Sequence, residues 1–272
     1  MIWSYSWIRK FTVLRFGKSE IQIKDAFWCL VPEMAVISSG YQVRFAIKAC
    51  IMIEPSIEAS FIDLALRRGA LQFGHFTLKS GRPSPYFFNI GRLYRGSDMM
   101  LLGQWLAQKI VDSGLEYDLL FGAAYKGIPL MSLTAAALAQ KWQRDVPTVY
   151  NRKEIKAHGE GGGSVGAPIT GRVLIVDDVL TAGTAAEQAI QLIQSNAAVP
   201  AGLLIAFDRQ EPQSTKLAAS QYLQSKYHMS VISLSSIETL ESFLSQRPED
   251  AEALKSLRDY RRSLWQIQES FP

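Results

Sequence analysis

Hydrophobic and polar positions divide the chain into two unequal parts. From Ser56 onward, apolar residues either recur at helical spacing or form short, nearly unbroken runs. Ser56 is placed to cap a helix running through Arg68, with Gly69 as its stop. The stretch FGHFTLKSGRPSPYFFN (73–89) predicts two extended segments around a turn at Ser80 and Gly81. Ser97 opens a helix in which Leu101, Leu102, Trp105, Leu106 and Ile110 recur at helical spacing, ending at Gly114. Strand DLLFG (118–122) then leads to an alanine-rich helix over 128–141, and strand VPTVYN (146–151) into a glycine-rich stretch, 157–166. Strand RVLIVDD (172–178) passes through LTAGT to a helix at 185–195. Strand AGLLIAFD (201–208), a helix near 215–226, strand VISL (231–234) and two C-terminal helices complete the series.

Nearly all-apolar strands alternating with helices predict an α/β fold with a parallel sheet covered on both faces. Ligands of such sheets sit in the crevice beyond the carboxyl ends of the strands. The three most polar, glycine-bearing loops all follow strands and should converge there. No internal repeat is visible, and HGEGGGSVG (158–166) is too short to link domains.

The first 51 residues lack this periodicity. They hold seven Lys/Arg against three acids, both cysteines (Cys29 and Cys50) and three of the six tryptophans. Residues 52–272 carry 22 charges of each sign, so the formal charge of +4 and the pI near 9.0 belong to the start of the chain. That distribution argues against a nucleic-acid footprint. A body without cysteine offers no disulfide framework and no thiolate metal site, which fits a reducing compartment. No window approaches the roughly 18 apolar residues needed to span a bilayer. Neither nucleic acid nor membrane is an expected partner.

The most informative run is Val173-Leu174-Ile175-Val176-Asp177-Asp178-Val179-Leu180-Thr181-Ala182-Gly183-Thr184. A buried strand ends in adjacent carboxylates, and a turn of small residues then opens a helix. Free N–H groups and the positive helix end make an anion site, with Thr181 and Thr184 adding hydroxyls. Ala182 and Gly183 allow a phosphate close to the backbone. Two acids beside a phosphate cradle make sense if they accept hydrogen bonds from sugar hydroxyls or face a bridging metal. The implied ligand is a phosphorylated ribose with Mg²⁺. A Walker loop is excluded, because it needs G-x-x-x-x-G-K-[ST] before the helix. The bland alternative, an Asp-Asp cap on an ordinary strand–helix turn, suits a lone acid pair better than the whole run.

This run resembles the phosphoribosyl pyrophosphate motif of type I phosphoribosyltransferases. FTLKSGRPSPYFFN (76–89), FGAAYKGIPL (121–130) and NRKEIKAHGEGG (151–162) resemble the orotate phosphoribosyltransferase family in its enteric-bacterial form, collinearly from about Ile53 to the C-terminus. The resemblance implies a central, mostly parallel sheet flanked by helices, with a small hood from the N-terminal part of the core. It also implies transfer of ribose-5-phosphate from phosphoribosyl pyrophosphate to orotate, in pyrimidine biosynthesis.

By the same resemblance, Asp177 and Asp178 hold the ribose hydroxyls. Thr181, Ala182, Gly183, Thr184 and Ala185 cradle the 5-phosphate, and Val179 and Leu180 also belong to the phosphoribosyl pyrophosphate site. Tyr125 and Lys126 form the diphosphate loop, and Lys79 reaches over the site to base and diphosphate. Phe87, Phe88, Thr181 and Arg209 are the orotate contacts. An aromatic face can sandwich a flat ring, and a guanidinium fork suits a carboxylate. Arg152, Lys153, Lys156 and His158 belong to a lid that crosses a twofold dimer interface and delivers charge to the leaving diphosphate in the neighbouring subunit. Lys156, His158 and Lys79 are the catalytic candidates. Mg²⁺ is expected as cofactor, held mainly by substrate and water with no direct protein ligand assigned. A homodimer and a cytoplasmic location follow from the family.

Two rival readings share the acid run. One is the same fold acting on a purine, against which Lys79 and the 152–160 loop argue. The other is a sensor of phosphoribosyl pyrophosphate that does not turn it over. For the first 51 residues the expectation is upstream sequence outside the enzyme, which spans 52–272. A targeting peptide is the alternative, although the segment carries three acids and has no clear apolar core or cleavage site.

Overall fold

The computed structural model describes residues 12–16, 19–23, 28–29, 50–51, 55–78, 81–152, 163–212 and 217–269. It comprises two compact units, Met1–Pro55 and Ser56–Pro272. In the first, β1 (Thr12–Phe16) pairs antiparallel with β2 (Ser19–Ile23), and β3 (Trp28–Cys29) with β4 (Cys50–Ile51).

The second unit opens with α1 (Ile57–Arg67). Ser56 Oγ accepts the Ala59 N–H at 3.2 Å, and Gly69 takes the left-handed conformation past the helix end. A separate antiparallel hairpin follows, β5 (Leu71–Thr77) with β6 (Pro83–Phe88), which supplies the small hood. Next come α2 (Gly96–Ser113), β7 (Leu119–Gly122), α3 (Gly127–Trp142), β8 (Thr148–Asn151), β9 (Ser164–Gly166) and β10 (Arg172–Leu180). After them come α4 (Thr184–Ser195), β11 (Val199–Asp208), α5 (Ala219–Tyr227), β12 (Ser230–Ser236), α6 (Ile237–Ser245) and α7 (Ala251–Glu269).

The main sheet has the order β12-β11-β10-β7-β8-β9, parallel except where β9 runs against β8. Because side chains alternate along a strand, β10 feeds two cores at once. Leu174 and Val176 join Leu102, Leu106, Leu130 and Leu138 of α2 and α3 on one face. Val173 and Ile175 join Ala186, Ile190 and Ile193 of α4 on the other. Full burial of these side chains is worth about 1.5–3 kcal/mol each.

Two departures from the sequence expectation fall next to the polar loops. β10 continues past 178 to Leu180, because Val179 and Leu180 keep pairing with Phe207 and Asp208 of β11. The end of the glycine-rich stretch is strand β9 rather than loop. There Gly166 has φ +115°, and a Cβ would lie 2.3 Å from the Thr148 carbonyl oxygen, so glycine permits the pairing. Among the described residues, no helix is long and apolar enough to cross a membrane.

Candidate active site

Adjacent strands β11, β10, β7 and β8 bring the loops at their carboxyl ends into one row, with β10 inside it. Strand alternation then separates the two acids at the end of β10. Asp177 shares the face of Ile175 and lines a cleft of about 220 Å³ with Val179, Thr181, Gly183, Thr184 and Ala185. Asp178 shares the face of Val176 and receives a hydrogen bond from Lys126 Nζ at 2.8 Å. A pair that looks redundant in sequence therefore serves two loops.

The phosphate side of the cleft is built from main chain. Gly183 stands at the N-cap of α4 with φ 83° and no side-chain cap, a helix start of the kind that suits an anion. Thr181, Ala182, Thr184 and Ala185 are exposed around it. Burial pushes the Asp177 carboxyl up to about 7, the charge of Asp178 adds to that rise, and the Asp178 N–H at 2.8 Å opposes it.

The second loop, between β7 and α3, is fastened to β10. The Ala123 N–H donates to the Val176 carbonyl at 3.1 Å, and Gly127 N–H returns to Ala123 at 2.9 Å. A Cβ on Gly127 would lie 2.2 Å from the Val176 oxygen, so only glycine allows this approach. The Ala124–Tyr125 peptide is cis. Tyr125 and Lys126 are exposed, and Lys126 reaches the acid pair from here. Sequence reading missed Asn151, whose Oδ1 accepts the Ala124 N–H at 2.8 Å from the end of β8. It also missed the glycine approach, whose only sequence trace is a glycine at the start of a predicted helix.

On the base side, β6 separates the two phenylalanines. Phe87 is exposed and stacks on Phe76, with centroids 5.5 Å apart. Phe88 is buried, stacked on Phe207 at 5.1 Å and edge-on to Phe61 at 6.0 Å. Its ring belongs to the core and cannot sandwich a base, so the aromatic reading is confined to Phe87. Arg209 follows β11 and is buried. Its Nε donates to Glu211 at 2.6 Å, its Nη2 to Ser84 Oγ at 3.1 Å, and its guanidinium lies 4.2 Å from the centre of the Tyr86 ring.

Lys79, Lys153, Lys156 and His158, which include all three catalytic candidates, lie outside the described residues. Arg152 is described just past β8, where its N–H donates to the Gly163 carbonyl at 2.7 Å and extends the ladder between β8 and β9. No group of three or more His, Cys, Asp or Glu side chains is placed to hold a metal ion among the described residues.

Residues 89–227, which carry both loops and the acid pair, match the family model of the phosphoribosyl transferase domain. That class accounts for the fold. Full-length relatives narrow it: the chain belongs to the orotate phosphoribosyltransferase family. The Klebsiella pneumoniae subsp. pneumoniae orotate phosphoribosyltransferase is 51% identical over 204 residues, covering 75% of this chain and 96% of its own. That of Serratia proteamaculans is 50% identical with the same coverage. The crystal structure of the Francisella tularensis orotate phosphoribosyltransferase superposes with TM-score 0.67 at 36% identity, covering 75% of this chain and 98% of that one.

Proposed function

We infer that the protein transfers ribose-5-phosphate from phosphoribosyl pyrophosphate to orotate, releasing orotidine 5′-monophosphate and diphosphate in pyrimidine nucleotide synthesis. The observation that carries this reading is the split acid pair, with Asp177 beside the uncapped start of α4 and Asp178 beside Lys126. A ribose lying along the end of β10 reaches both loops. Its hydroxyls donate to the carboxylates, its 5-phosphate takes the N–H groups of residues 181–185, and its diphosphate meets Tyr125 and Lys126.

In the reaction a ring nitrogen of the base, arriving as an anion with its proton already lost to solvent, bonds to C1 as the C1–O bond to diphosphate breaks. The electron pair of that bond leaves with the diphosphate. No covalent protein nucleophile is required. The chain's residues hold the reactants in line, exclude water and place positive charge where the diphosphate departs. Phe87 offers a ring face to the base and Arg209 a guanidinium to its carboxylate. Phe88 contributes through its backbone, and Thr181 meets the base from the cradle. Lys79, Arg152, Lys153, Lys156 and His158 close over the diphosphate, the lid coming from the partner subunit of a homodimer. Mg²⁺ would be held mainly by substrate and water, with the carboxylates of the acid pair nearby. Mg²⁺ supplies charge neutralisation for the departing diphosphate. The reaction resides in residues 52–272, in the cytoplasm, without nucleic acid or membrane.

The test is absorbance-followed consumption of orotate with phosphoribosyl pyrophosphate and Mg²⁺, run beside uracil, adenine, guanine and hypoxanthine. Selective loss of orotate is expected. Purine turnover, or binding of phosphoribosyl pyrophosphate with no base consumed, overturns the reading. Mixed dimers of Lys156→Ala and Asp178→Ala subunits should recover activity that neither parent has, and verified heterodimers that stay inactive reject the shared lid.

A further inference from the structure

The carboxylate of Glu211 gathers groups from three distant parts of the chain. Its Oε1 accepts Arg209 Nε–H at 2.6 Å and the Tyr260 hydroxyl at 3.0 Å, while Oε2 accepts Arg82 Nη1–H at 3.1 Å. Arg82 precedes β6, Arg209 follows β11, and Tyr260 lies on α7, outside the matched domain. Glu211 is 7% and Arg209 3% exposed, so their pair is sheltered from solvent, while the Arg82 arm is half-exposed. Burial raises the Tyr260 phenol pKa and the charge of Glu211 adds to it, so the hydroxyl stays protonated and able to donate at neutral pH.

The geometry constrains Arg209 in orientation as well as position. Glu211 takes the Nε edge of the guanidinium, Ser84 takes Nη2, and the Tyr86 ring carries its flat face. A planar fork held on an edge and a face keeps one plane and one direction, which is what two-point recognition of a carboxylate needs. The charge balance adds a second argument: two guanidinium groups share one carboxylate, leaving one positive charge in excess. A ligand carboxylate balances it, and a base without one does not.

We propose that Glu211 is a positioning residue that aims Arg209 at the carboxylate of the base, and that Tyr260 fixes Glu211, making α7 part of base selection. This rests on the reading of Arg209 as the orotate contact.

The test compares KM for orotate, KM for phosphoribosyl pyrophosphate and inhibition by uracil, which lacks the carboxylate, in Arg209→Gln, Glu211→Gln and Tyr260→Phe. Glu211→Gln should raise KM for orotate about tenfold or more, as expected for loss of a charge-assisted hydrogen bond. The other two constants should stay within about threefold. Tyr260→Phe should raise KM for orotate about twofold to fivefold, and by less in the Arg209→Gln background. A merely structural network would move all three constants together, and that result overturns the proposal. If Glu211→Gln fails to fold by thermal melting, Tyr260→Phe decides, since it removes one hydroxyl. An unchanged KM for orotate in Arg209→Gln sinks the base-site reading itself. A raised one, with Glu211→Gln and Tyr260→Phe both silent, sinks only the positioning role.

Discussion

The two halves of the site are built from different materials. The half assigned to phosphate is contiguous: residues 177–185 run from a strand end through a small-residue turn into α4, where backbone N–H groups would meet an anion. The half assigned to the base is dispersed: Arg82, Ser84, Tyr86, Arg209, Glu211 and Tyr260 come from three parts of the chain and hold one another through side-chain contacts. On the proposed reading, main chain meets a group common to every ligand of the class, while interlocked side chains meet the group that distinguishes one base from another. Substitution should therefore act locally in the first half and spread through partners in the second.

The strongest way to break this comparison is Arg209→Ala. Loss of charge-assisted hydrogen bonds to the base carboxylate should lower kcat/KM for orotate about a hundredfold. The Kd of phosphoribosyl pyrophosphate should change little, and equal weakening of both ligands would move Arg209 out of the base half. Gly127→Ala is the matching test on the phosphate side. Its Cβ would meet the Val176 oxygen, at 2.2 Å, so the loop must shift. A loss of about 1–3 kcal/mol in denaturant titrations is expected, together with weaker diphosphate binding. Unchanged stability would show that the two loops are not locked as described.

The pH profile sharpens the contrast at Asp177. Its carboxyl is pushed up to about 7 by burial, then by Asp178, so the folded protein holds this proton more tightly than the unfolded chain does. The associated stability is fully present below the usual carboxylate range and is lost as pH rises through about 7. Asp177→Asn should remove that slope, a difference of roughly 2–3 kcal/mol between pH 5 and 8. Ribose hydroxyls favour the ionised form, so phosphoribosyl pyrophosphate binding should release protons near neutrality. Calorimetry in buffers of different ionisation enthalpy measures this, and absence of release would mean that Asp177 binds the sugar while protonated.

Legibility follows the same division. The α/β alternation and the 177–185 cradle were readable because period, cap and turn chemistry are local properties of consecutive residues. The separation of Asp177 from Asp178 was implicit in strand alternation, but the partner of each depended on which strands became neighbours. Asn151 with Ala124, and Glu211 with Arg82 and Tyr260, were not readable, since nothing within a few residues of Asn151 or Glu211 points to partners 27, 129 or 49 positions away. Phe87 and Phe88 show the limit of a motif. Adjacent residues on β6 face opposite ways, and only one ring can meet a base.

The mildest test falls inside the base half. Tyr86 is fully buried, and its hydroxyl has no hydrogen-bond partner among the described residues, although its ring carries the Arg209 guanidinium. Burial raises its phenol pKa well above the ordinary value, so a protonated, unpaired O–H occupies the core at working pH. An unsatisfied buried polar group costs about 1–3 kcal/mol, and replacing it with an apolar group of the same shape recovers much of that. Tyr86→Phe keeps the ring face for Arg209 and its contacts with Phe207 and Tyr260. Thermal melting should therefore show an unchanged or raised Tm, with KM for orotate within about twofold. A tenfold rise in that KM would mean that the hydroxyl pairs with the base when it binds, and the base half would then read a second polar group beside the carboxylate.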